Sequence, residues 1–117
     1  MSRSDLERSQ DACEFARHAR NNAGGLDADI LADAIQPQHA ALFDLVVIGE
    51  ALNNVSTQIQ NAAPAIPWRQ IIDMRRIIVH AYWLIDLEIV ADVIKSELDP
   101  LIEQLEELIA VVEHTET

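Results

Sequence analysis

Between residues 38 and 61, Leu45, Ile48, Leu52, Val55 and Ile59 recur at steps of three and four, the period of an α-helix. Val47 and Ala51 widen this stripe beyond a coiled-coil seam, so more than one neighbour must cover the helix. A chain built round such an element folds as packed helices, and the flanking segments agree. Residues 3 to about 22 carry Ala12, Phe15, Ala16 and Ala19 at helical spacing, and Gly24 and Gly25 suit a left-handed C-terminal cap. A short helical turn is expected in "LDADILADAI", before Pro37. Pro64 and Pro67 bracket a tight link, and Pro67 stands where a helix over about 68–81 tolerates proline. Asp86 suits the N-cap of the next segment, "LEIVADVIKSEL". Leu101, Leu105, Leu108 and Val112 mark a final amphipathic helix, with a kink or restart expected near Pro100. The prediction is all-α: residues 1–117 as a single domain, an up-down bundle of four main helices.

Composition narrows the function. The single cysteine, Cys13, cannot form an internal disulfide, and no Cys/His cluster has zinc-ligand spacing. The N-terminus lacks a signal-peptide apolar region, and no uncharged run approaches the ~20 residues that span a bilayer. A cytoplasmic protein without metal or membrane partner is expected. The net charge of −12 argues against a broad nucleic-acid binder, and no DNA partner is expected. The cations cluster, however: Arg3, Arg8, Arg17 and Arg20 lie in the first twenty residues, and Arg69, Arg75 and Arg76 between 69 and 76. Two such segments meeting in space would leave a local positive groove on an acidic body.

The stretch "MRRIIVHAYW" (74–83) concentrates polar chemistry in an otherwise apolar run. Its plain reading is structural: arginines complementing a helix C-terminus, a hydrogen-bonded histidine, and Tyr82 and Trp83 as core aromatics. The functional reading is RNA cleavage by the 2′-hydroxyl. A histidine near its ordinary pKa moves protons at neutral pH, and an arginine fork holds phosphate oxygens as negative charge builds. Positions five apart lie about 140° apart round a helix, so Arg75 and His80 would not share a face. Arg76 and His80 would, as would Arg75 and Tyr82. Either the helix frays before His80, or Arg75 reaches around, or a second chain completes the site. One histidine also leaves the reaction without a second acid/base, which a two-fold dimer would supply.

Arg75-x4-His80-x-Tyr82 resembles the Arg-x4-His-x-Tyr motif of the HepT-like family, within the HEPN superfamily of helical ribonucleases. "VIGEALNNVS" (47–56) is similar to the family's second-helix segment, residues 64–94 to its motif block, and "LDPLIEQLEEL" to its last helix. The resemblance covers roughly residues 40–110 well and the first helix poorly. It implies a HEPN-like four-helix homodimer with the motif at the subunit interface. It also implies metal-independent endoribonuclease activity on tRNA or mRNA with no cofactor. Further, it implies the toxin role in a toxin–antitoxin pair, silenced when an MntA-like nucleotidyltransferase antitoxin transfers AMP onto the motif tyrosine. Arg75 and His80 would then be the catalytic pair and Tyr82 the AMPylated residue. One departure stands out: Arg76 replaces the asparagine common after the motif arginine. Glu50, on an otherwise apolar helix, either pairs with Arg75 and tunes it or forms a simple partly buried ion pair. Arg17 and Arg20 either line the RNA approach or form a solvated face. The rival reading is a non-catalytic helical module that docks a nucleotidyltransferase partner.

Overall fold

A computed structural model describes residues 3–116, and those residues contain helices and no strand. The long helices are α1 (Asp5–Ala23), α3 (Ile35–Asn53), α5 (Trp68–His80) and α7 (Leu98–Glu116). Between them lie the short helices α2 (Ala28–Asp33), α4 (Thr57–Ala62) and α6 (Leu87–Asp92).

Local chemistry sets these boundaries. Ser4 and Glu7 form a reciprocal capping box at the start of α1, each side chain accepting from the other's backbone N–H at 3.1 Å. At its end Gly24 stays right-handed (φ −64°), and no glycine among the described residues adopts positive φ, so the left-handed cap expected there does not form. Gly24 N–H instead continues the helical bonding to the Arg20 carbonyl at 2.8 Å. The helix expected over 38–61 begins earlier, at Ile35, and stops at Asn53. Ser56 then restarts the chain as the N-cap of α4. Asp86 caps α6, accepting from Glu88 N–H at 2.9 Å.

The irregularity expected near Pro100 occurs a turn earlier, as a π-helical stretch, Val93–Glu97, joining α6 to α7. Pro100 has no N–H to offer and its ring crowds the carbonyl four residues back. The wider turn relieves that crowding, with Leu98 N–H bonding the Val93 carbonyl five residues back.

α3 lies between α1 and α5, and α1 also packs against α7. The broad stripe of α3 therefore has two partners. Ala12, Ala16, Ala19 and Ala23 give α1 a face of small side chains, all buried, so its neighbours approach closely. The same core holds Ile48 and Leu52 of α3 and Leu98, Leu105, Leu108 and Val112 of α7, each at most 2% exposed. Burying each leucine contributes roughly 1.5–3 kcal/mol. A Lys95–Asp27 ion pair ties the π-helical stretch to the start of α2. α5 is different: it has no fully buried residue, and it docks mainly on α3.

Candidate active site

The position of α5 follows from its ends. Trp68 donates from Nε1 to the Ala63 carbonyl at 2.9 Å, pinning the start of the helix across the Pro64–Pro67 link. Ile71, Met74 and Ile78 pack against the core, which turns Arg75 toward α3. There α3 carries Gly49, and the two helices meet so closely that a Cβ on Gly49 would lie 2.3 Å from the Arg75 Cβ. A glycine inside an apolar helix otherwise weakens it; here it admits the root of the arginine.

Arg75 extends to Glu50, with Nη2 2.9 Å from Oε2. Its side chain is 26% exposed and its Nε is buried without a hydrogen bond. The Glu50–Arg75 pairing considered from the sequence is therefore present. Arg76 points outward and pairs within its own helix, 3.5 Å from Asp73. Arg17 and Arg20 are joined to acids of α7, Arg17 to Glu106 at 3.7 Å and Arg20 to Asp99 at 3.1 Å, and not to the Arg75–Glu50 pair.

His80 is the last residue of α5, exposed, and its side chain has no hydrogen bond or ion pair among the described residues. The helix runs intact through it, so it does not fray between Arg75 and His80. Ala81 (φ −143°, ψ 49°) ends the helix, and Tyr82–Leu84 form a 3₁₀ turn. The expected shared face of Arg75 and Tyr82 is thus corrected: Tyr82 lies beyond the helix end, where helical spacing no longer applies. Tyr82 and Trp83 are 70% and 69% exposed and stand edge to face, 5.5 Å between ring centroids. Neither is a core aromatic.

The chain offers an arginine fork held at one nitrogen, an imidazole with both nitrogens uncommitted, and an accessible phenol. Side chains of these kinds are able to bind and polarise a phosphodiester and to move a proton. The ribonuclease HepT-like family profile matches residues 10–108. The chain belongs to this family. It is 32% identical over 80 residues to a Thermococcus cleftensis protein named as a probable ribonuclease HepT, covering 68% of this chain and 72% of that one. Two Methanocaldococcus jannaschii proteins carrying RNase names are also similar. MJ0127 is 33% identical over 65% of this chain, and the match spans 63% of that relative's length. MJ1380 is 23% identical over 86% of both chains. No solved structure matches. In this HepT-like chain, none of the described helices is long and apolar enough to cross a membrane.

Sequence reasoning missed Gly49 and Asn54. Asn54 donates from Nδ2 to the Glu50 carbonyl at 2.8 Å and to Glu50 Oε1 at 3.3 Å. The four-residue spacing of Glu50 and Asn54 was the available signal.

Proposed function

We propose that this protein is the toxin of a toxin–antitoxin pair, a cytoplasmic, metal-independent endoribonuclease acting on tRNA or mRNA. The observation that carries the reading is the exposed, unpartnered His80 closing the helix that bears Arg75, in a chain of a ribonuclease family. The RNA 2′-oxygen attacks the adjacent phosphorus, His80 transfers a proton, and the 5′-oxygen of the next nucleotide leaves. The product ends in a 2′,3′-cyclic phosphate. Arg75 stabilises the charge that builds on the non-bridging oxygens, with Arg76 as a further cation at the same helix end.

With α5 helical through His80, Arg75 and His80 leave the helix in different directions, and a second copy completes the site. A four-helix HEPN-type homodimer brings the two copies of the motif together, so that Arg75 of one copy can work with His80 of the other. Ile77, Val79, Trp83 and Leu84, all exposed, surround His80 in the sequence and provide apolar surface for that contact. The exposed Tyr82 suits attack by a nucleotidyltransferase antitoxin. AMP placed there would set an anionic phosphate beside the catalytic groups and repel RNA.

The test is product analysis with purified protein and short RNAs, scoring cyclic phosphate ends by mass. Wild type should form them, and Arg75→Ala and His80→Ala should not. Absence of cyclic ends from dimeric protein carrying no nucleotide on Tyr82 would favour a module that docks a nucleotidyltransferase and cleaves nothing.

A further inference from the structure

We propose that Asn54, acting through Glu50, is a positioning residue that keeps Arg75 available for phosphate; the inference rests on the ribonuclease reading of the same site. An arginine–carboxylate pair left to itself favours the two-pronged grip in which both carboxylate oxygens take guanidinium N–H groups. Such a grip on Arg75 would occupy the donors that the scissile phosphate requires. The structure shows a divided carboxylate instead. Glu50 Oε2 forms the ion pair with Arg75 Nη2 at 2.9 Å, while Oε1 accepts from Asn54 Nδ2 at 3.3 Å.

The orientation of the Asn54 amide follows from its surroundings. Both groups it faces, the Glu50 carbonyl at 2.8 Å and the Glu50 carboxylate, are acceptors. A flipped amide would set oxygen against oxygen. The asparagine is itself held on its backbone. Its N–H bonds the Ala51 carbonyl at 3.2 Å, and its own carbonyl accepts from Arg8 Nη1 of α1 at 2.8 Å. The relay thus runs from Arg8 on α1 through the end of α3 to Arg75 on α5. Glu50, more than half exposed and rich in rotamers, would hold no fixed pose without it. A groove between α1 and α3, lined by Arg8, Val47, Glu50 and Asn54, opens this relay to solvent. Gly49 completes the device by fixing the root of the arginine whose tip Glu50 holds.

The experiment compares wild type, Asn54→Ala, the isosteric Asn54→Asp, Glu50→Gln and the Asn54→Ala/Glu50→Gln double variant in steady-state RNA cleavage. Thermal melts accompany each. Asn54→Ala should lower kcat about tenfold while KM stays within about twofold. Asn54→Asp, which sets a second carboxylate against Glu50, should also lower kcat. The double variant should be no slower than Glu50→Gln alone, because Asn54 acts only through that carboxylate; a plain helix-end role would make the losses multiply. Side-chain ¹⁵N NMR of Arg75 reads the same relay without substrate: its guanidinium signals should shift and broaden in Asn54→Ala. Unchanged kcat and unchanged Arg75 signals in Asn54→Ala, or multiplying losses in the double variant, would overturn the proposal. Failure of wild type to cleave, with Arg75 signals still dependent on Asn54, would sink the ribonuclease reading and with it the assigned purpose of the relay.

Discussion

Gly49 and Arg75 touch at their backbones' edges: a methyl group on the glycine would sit 2.3 Å from the arginine Cβ and 3.2 Å from the Ile71 carbonyl. Neither neighbour is the free end of a flexible side chain, so α3 and α5 would have to separate. Gly49→Ala should therefore destabilise the fold by about 1–3 kcal/mol, as measured by urea denaturation. It should also lower RNA cleavage more than its stability loss explains, because the displaced helix carries both Arg75 and His80.

A second prediction concerns composite sites. When Arg75 of one copy works with His80 of the other, mixing Arg75→Ala and His80→Ala protein rebuilds one intact pair in each mixed dimer. Equal mixtures, refolded together, should regain about a quarter of wild-type cleavage, since half the dimers are mixed. No recovery from verified mixed dimers would place both residues of each working pair in one chain.

How much of this was legible beforehand divides along physical lines. Leu101, Leu105, Leu108 and Val112 announced a helix by period alone and are buried, because amphipathic spacing and burial are one constraint. Asp86 announced its cap because an Asx side chain before an apolar run has few other uses. The break after Asn53 was hidden because Val55 and Ile59 keep the helical spacing and stay buried across it. The π-helical stretch before Pro100 was hidden too: proline demands a deviation but does not say on which side of it the chain yields. At the candidate site, the Arg75–Glu50 pair was foreseeable from charge on an apolar helix. The contact at Gly49 was not, since it depends on how two helices cross.

Asp44 of α3 makes stability depend on pH. It is 4% exposed, and burial raises its carboxyl pKa above the ordinary range, with Asn22 donating at 2.8 Å and nearby His18 pulling it partly back. A raised folded pKa means that the unfolded chain ionises first as pH rises, so Asp44's contribution is complete below the ordinary carboxylate pKa and is lost through the raised one. In Asp44→Asn the new amide oxygen can still accept from Asn22, with no charge to bury. Melting temperatures from pH 4 to 8 should show Asp44→Asn gaining on wild type as pH rises; a constant offset would contradict this.

Cys13 should be slow to react. It is 1% exposed, and burial raises its thiol pKa, so little thiolate exists near neutrality. Alkylation by iodoacetamide at pH 7.5 should track global unfolding and reach completion quickly only in denaturant. Rapid labelling of native protein would mean that the α1 face opens locally.

The most direct measurement is cleavage of end-labelled tRNA in EDTA by wild type, Arg75→Ala and His80→Ala, with intact mass confirming that Tyr82 is unmodified. The account predicts fragments from wild type and none from either variant. Intact RNA from unmodified, dimeric wild-type protein across several RNAs, or fragments that persist in His80→Ala, would contradict it.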